Sequence, residues 1–257
     1  MNAVLKEGEA GTASLLRFRS AAAGDLRLFA LLQDRELERG LVLSLWKDCY
    51  EDFLGLKLVS GEGREAMKLF RLGLTDLPTE LSDQTLDILA VEYADIFLNN
   101  SFGAFPCESV WIDDEGLAMQ EPMFQVREWY GRFGLEVEDW RKRTDDHLVN
   151  QLQFLAHMLD ADAGNGELSD LANFMDEHLL RWVPCFSERV SSKCQTRLYA
   201  GLAQLTAAYL IELRQLLAEA TGEPVPSAEE IDERMRPKIG VAVEVPGPYV
   251  PGAAPSW

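Results

Sequence analysis

Apolar residues recur at helical spacing along almost the whole chain, and this pattern limits the fold more than any other feature. Leu86, Leu89, Tyr93 and Phe97 follow it, as do Leu148, Leu152, Leu155 and Leu159, and again Leu198, Leu202, Leu205, Tyr209 and Leu216. Such stripes are the buried faces of amphipathic helices. Runs of alternating β-branched residues, the mark of a half-buried strand, are absent before residue 240. The spacing predicts further helices over about 24–33, 36–54, 63–73, 121–134, 167–182 and 196–220. Gly61-Glu62-Gly63, Gly131 to Gly134 and Gly164-Asn165-Gly166 punctuate them. The expected fold is all-α: a single helical bundle domain with a proline-rich C-terminal extension.

At 257 residues and 47% hydrophobic, the chain can bury a real core. Residues 1–20 are expected to be a flexible N-terminal segment, since 1–14 offer little to bury. Residues 21–221 form the bundle, and 222–257 form a proline-rich tail. That tail opens Gly222-Glu223-Pro224-Val225-Pro226, passes a short acidic helix candidate at 227–235 and ends in a run too rich in proline for a regular helix. It is either disordered or strapped across the bundle through Tyr249, Val250 and Trp257. The first thirty residues hold Glu7, Glu9, Arg17, Arg19 and Asp25, with no apolar run suited to a signal core. No stretch reaches the ~20 apolar residues of a membrane span. A cytoplasmic location is expected, with Cys49, Cys107, Cys185 and Cys194 reduced.

Lys plus Arg number 24 against 43 Asp plus Glu, a net charge of −19. This argues against nucleic acid or an anionic membrane as partner, because both call for a positive surface. The excess either keeps the protein soluble or attracts a basic ligand.

Two segments carry chemistry. The first runs from Glu92 to Trp111: an amphipathic helix breaks after Leu98 into a connection of about 20 residues, long for a bundle. Its Phe102, Phe105 and Trp111 either plug the end of the bundle or wall a groove. The second, Thr144-Asp145-Asp146-His147-Leu148, sits at a helix mouth. Thr144 can cap that helix and the acids can favour its dipole, which explains Asp145. It does not explain His147, whose protonated form the dipole disfavours. A carboxylate there can accept a guanidinium in bidentate fashion, and a neutral imidazole can orient it. Two apolar helices flanked by such segments form a peptide groove more readily than a catalytic centre. HExxH, GxSxG and P-loop patterns are absent, and Asp176-Glu177-His178 lacks the Glu-x-x-His spacing of a helical metal site. No enzymatic activity, metal or cofactor is expected.

Glu92-Tyr93-x-x-x-Phe97, Gly103, Pro106 and Glu108-Ser109-Val110-Trp111 resemble the first signature of the TorD/DmsD/NarJ family of cytoplasmic chaperones for molybdenum-enzyme maturation. Asp146, His147 and Leu152 match the second, and Phe154 and Leu155 continue its apolar helix. Phe174, Trp182, Pro184, Phe186 and Tyr199 are similar to a third, weaker pattern, so that the likeness covers about 25–220. The chain departs from the family at Thr144, which stands for a usual proline, and at Gln151, which stands for a usual glutamate. Asn99-Asn100-Ser101 stands for Gly-Pro, and Phe105-Pro106-Cys107 for a more proline-rich run.

The resemblance implies an all-helical chaperone. It would bind the twin-arginine signal peptide or the apo form of a molybdoenzyme precursor and assist cofactor insertion before export. The alternative is an assembly scaffold that binds the mature part of a nitrate reductase or formate dehydrogenase type enzyme. By the resemblance, peptide-binding roles fall to Tyr93, Glu108, Ser109, Trp111, Asp146, His147 and Gln151, with Phe105 as an apolar anchor for the peptide. Monomer and domain-swapped homodimer are both compatible with a bundle of this size.

Overall fold

The computed structural model describes residues 2–48, 53–160 and 168–236, with side chains from residue 11 to 47 and in the two later stretches. Cys49 and the segment 237–257, with Tyr249, Val250 and Trp257, lie outside the described residues, and so does the choice between strap and disorder. Residues up to Val225 form one compact unit, and a second begins at Pro226.

Among the described residues every regular element is helical. The chain runs through α1 (Asn2–Asp34), α2 (Arg39–Asp48), α3 (Gly61–Thr75), α4 (Asp83–Phe97), α5 (Glu108–Ile112), α6 (Glu121–Arg132), α7 (Leu148–Leu159), α8 (Leu168–Phe174), α9 (Leu180–Lys193), α10 (Arg197–Thr221) and α11 (Ala228–Met235). The helix expected at 24–33 begins at Asn2, so residues 2–20 of the proposed flexible segment are helical in their backbone. Residues 11–17 of α1 are exposed; its packing begins at Phe18 and becomes complete at Ala22, Leu26, Phe29 and Ala30.

α1 packs on α7, while α10 packs on α3, α8 and α9. α7 buries nine of its twelve residues, from Leu148 to Leu159, and α10 is apolar on most of its circumference. That is the composition of central helices, whereas the weaker stripes of the outer helices bury one face.

α3 and α10 approach each other closely. A Cβ on Gly73 would lie 2.5 Å from the backbone of Leu198, and one on Gly201 would lie 2.5 Å from that of Phe70. The two glycines face each other's helices, so the axes cross with no side chain between them.

The helix predicted to stop near residue 182 continues to Lys193 with Pro184 inside it. A π-helical turn, Met175–Leu179, joins α8 to α9. Its extra residue turns both Asp176 and His178 into the core along with Phe174, Met175 and Leu179. There Asp176 receives a bidentate pair from Arg214 of α10 at 2.8 to 3.0 Å.

α11 belongs to the second unit. Ser227 caps it, accepting the Glu230 amide while the Glu230 carboxylate accepts the Ser227 amide.

The glycine crossing yields a paired test. Gly201→Ala forces its new methyl into backbone that cannot yield, and should cost about 3 kcal/mol, the upper part of the usual overpacking range. Gly24→Ala, on the exposed side of α1 with no atom near the added methyl, should stabilise by about 0.5–1 kcal/mol. Urea unfolding midpoints measure both.

Candidate functional site

The two segments singled out in the sequence meet. Pro106–Ser109 runs antiparallel to Asp146–Leu148 around a bridge between Cys107 and His147. The Glu108 amide donates to the Asp146 carbonyl at 3.1 Å, and the Leu148 amide donates to the Pro106 carbonyl at 2.9 Å. The Ser109 amide donates to Asp146 Oδ2 at 2.8 Å. This exchange sets the start of α5 and of α7 together. It also corrects the capping assignment: the cap of α7 is His147, whose Nδ1 accepts the Val149 amide at 3.1 Å. Thr144 is buried, its hydroxyl 3.2 Å from Cys107 Sγ.

The exchange places Glu108 in the core at zero exposure. Its carboxylate accepts from Gln151 Nε2 at 2.7 Å and lies 3.0 Å from His178 Nδ1, on the π-turn. Gln151 also donates to the Asp146 carbonyl at 3.3 Å. Asp146 Oδ1, Gln151 Oε1 and His178 Nε2 have no protein partner. Asp145 pairs with Arg127 at 2.8 Å, and its carbonyl accepts the Tyr130 hydroxyl.

Of the expected peptide contacts, Tyr93, Glu108, Ser109, Asp146 and Gln151 are buried, while Phe105, Trp111 and His147 are half-buried. The expectation that Asp146 accepts a ligand guanidinium is corrected. The carboxylate is wholly buried and points at Ser109, because the chain pairing turns it into the protein. Tyr93 donates its hydroxyl to the Asp34 carbonyl at 2.8 Å and stacks on Phe97; burial raises its pKa to about 12. Trp111 donates to the Phe105 carbonyl at 2.8 Å and meets Phe186 edge-on, so it fixes the loop as much as it walls anything.

Glu92 caps α10, accepting the amides of Gln195 and Thr196 at 2.5 and 3.0 Å and the Thr196 hydroxyl. That role and the part of His178 were not anticipated. For His178 a signal existed: it falls on the apolar stripe of Leu171, Phe174 and Trp182, where a polar side chain demands a partner.

Phe105 and His147, but not Trp111, line a cleft of about 260 Å³ whose apolar lining also includes Tyr93, Phe97, Leu98 and Met119. Its charged residues, Arg141, Lys142 and Arg143, are all cationic. Burial first, and the Arg143 guanidinium second, depress the pKa of His147 to about 3. Among the described residues no cluster of His, Cys, Asp or Glu could hold a metal, and no helix is long and apolar enough to cross a membrane.

This buried exchange, with a loop-walled cleft beside it, sits on an all-helical scaffold. The family model described as nitrate reductase delta subunit matches residues 61–188, which hold every site residue above. The chain belongs to this family, that of TorD and NarJ. Among its relatives, the Chaperone protein TorD of Vibrio cholerae serotype O1 is 34% identical over 51% of this chain and 63% of its own length. That of Vibrio parahaemolyticus is 29% identical over 47% and 60%. That of Photobacterium profundum is 23% identical over 69% and 88%. The match thus spans less than two thirds of the Vibrio relatives.

Asp146→Ala leaves the buried Ser109 amide without an acceptor and should cost about 1–3 kcal/mol of stability in urea titrations. A surface residue that only met a ligand would cost nothing there.

His147 yields a pH dependence. Its folded pKa lies below the unfolded value, so the unfolded chain takes up the proton first, and this contribution to stability falls as pH drops from about 6.5 toward 3. His147→Asn keeps a capping acceptor and does not titrate. Between pH 7 and 4.5 the parent should lose about 2–3 kcal/mol more than the variant in parallel urea titrations.

Proposed function

We propose that the protein is a cytoplasmic chaperone for a molybdenum-cofactor oxidoreductase, which binds the twin-arginine signal peptide of the precursor and holds it while the cofactor is inserted. The observation that carries this reading is the cleft. Its walls come mainly from the two signature segments, locked together by the exchange at Cys107 and His147, and Phe105, Leu98 and Met119 offer an apolar surface of the size an unfolded segment can fill. The name of the relatives, Chaperone protein TorD, supports it. Phe105 and His147 would touch the peptide. Trp111, through the Phe105 carbonyl, and Tyr93, Glu108, Ser109, Asp146 and Gln151 would hold those two in place.

Charge divides the peptide between two surfaces. Arg141, Lys142 and Arg143 make the cleft unsuitable for the arginine pair and leave it to the apolar stretch. The outer face of α4 carries Asp87 and Asp95 beside exposed Ile88 and Val91, and suits the arginines. A second reading, assembly on the mature part of the enzyme, is favoured by the family description, nitrate reductase delta subunit.

The test is calorimetric titration with a synthetic twin-arginine signal peptide and with the same peptide carrying glutamine at both arginines. The parent peptide should bind about tenfold more tightly, and less so at high salt. Phe105→Ala should weaken it about tenfold with little change in melting. Equal affinity for both peptides would exclude signal-peptide recognition and leave the mature enzyme as the partner.

A further inference from the structure

Away from this cleft, a groove of about 430 Å³ runs between α3 and the segment that leads into it. Its floor is aliphatic: Leu54, Leu56, Leu58, Met67 and Leu72, with Leu72 40% exposed. Its charged lining residues are Lys57, Arg64, Lys68 and Arg71. A chain of net charge −19 has therefore lined one apolar trough with four cations and no acid.

The trough is built, not incidental. One wall is held at both ends by buried carboxylates from other helices. Asp25 of α1 accepts the amides of Gly55 and Leu56 at 2.6 and 2.9 Å. Glu212 of α10 accepts those of Val59 and Ser60 at 2.8 and 3.1 Å, and the Ser60 hydroxyl as well. The opposite wall is one face of α3, from Arg64 to Thr75, fixed against α10 by the glycine crossing. Arg64 donates to the Val59 carbonyl and spans the trough at one end. Lys68 has an ion pair with Glu65 at 3.4 Å, but both are well exposed, and such a pair gives way to a better partner.

We propose that this groove docks an acidic amphipathic helix of a partner protein. The α3 wall is twelve residues from first to last, about 16 Å, or three turns of a helix laid alongside. Helix-in-groove recognition reads apolar anchors at i, i+3, i+4 and i+7, which the aliphatic floor accepts. The cations flank that floor and meet carboxylates on either side of the anchors, and they oppose a basic peptide. The site is thus separate from the one proposed for a signal peptide, with the opposite charge preference, and stands without it. A wall already held by Asp25 and Glu212 loses little freedom on binding, which favours affinity in a shallow site.

The experiment uses the full chain and a fluorescein-labelled amphipathic peptide of about 18 residues, with leucines at helical anchor spacing and glutamates on the flanks. A second peptide carries lysine for every glutamate. Fluorescence anisotropy should give micromolar binding of the acidic peptide, at least about tenfold weaker binding of the basic one, and an affinity that falls with salt. Lys57→Glu with Lys68→Glu, both exposed, should weaken the acidic peptide about tenfold or more with melting unchanged. Met67→Asp should weaken the acidic peptide through the floor, with some loss of melting temperature because Met67 also packs against the core. The proposal fails if the acidic peptide does not bind at about 1 mM. It fails if both peptides bind alike, or if the double charge reversal binds like the parent. Dodecanoate runs in parallel; if it binds more tightly than the peptide and loses affinity in the same variants, the groove holds a small aliphatic anion and the helix assignment is overturned.

Discussion

A helical bundle pairs its backbone within each helix and leaves the connections between helices without partners. Every buried amide in a connection must find an acceptor, or cost about as much as a lost hydrogen bond. This chain meets that demand with buried carboxylates. Asp25 takes two consecutive amides, Gly55 and Leu56; Glu212 takes Val59 and Ser60; Glu92 takes Gln195 and Thr196. Asp146 takes Ser109, beside a carbonyl that takes Glu108. The two oxygens of a carboxylate fit two neighbouring amides, and hydrogen bonds to a charged acceptor are stronger than those between neutral groups. Asp25, Glu92 and Glu212 each sit on a helix and hold the backbone of a connection, and Asp146 ties one connection to the start of another helix, so the connections become fixed parts of the fold.

This device explains how much of the protein was legible in the sequence. Helices were legible because burial of a face imposes a period, as at Leu148, Leu152, Leu155 and Leu159. The meeting of Glu92–Trp111 with Asp146–His147 followed from the signature they carry. What the sequence did not disclose was the direction in which the polar residues face. A carboxylate beside a loop looks the same whether it meets a ligand or an amide, and no period constrains an irregular segment. Asp146 was therefore assigned outward and lies inward. Likewise the stop expected near residue 182 ignored the π-turn, which no local composition marks and which brings Asp176 and His178 to the core together.

The same accounting changes the meaning of the net charge. Asp25, Glu92, Glu108, Asp145, Asp146, Asp176 and Glu212 are buried, and Arg214 is the buried cation set against them. Part of the acidic excess is thus spent on backbone and on the interior, not on a surface field. Both apolar troughs have cationic walls, Arg141 to Arg143 in one and Lys57 to Arg71 in the other. Net charge governs the long-range approach of a ligand, but the local set of groups governs what settles.

Gln151 shows how far the network depends on one choice of atom. The related signature usually has glutamate here, and its loss looks like the removal of a negative charge from a binding site. In the structure Gln151 donates to the Glu108 carboxylate at 2.7 Å. A glutamate in its place would set two carboxyl groups at hydrogen-bonding distance with no exposure, and they could stay there only by sharing a proton. The amide supplies the donor without that proton, and its second bond, to the Asp146 carbonyl, ties the same side chain to the exchange between α5 and α7. Gln151 completes a set of donors around Glu108, with His178 on the other side, and that set holds the cleft walls to the core whatever the cleft receives.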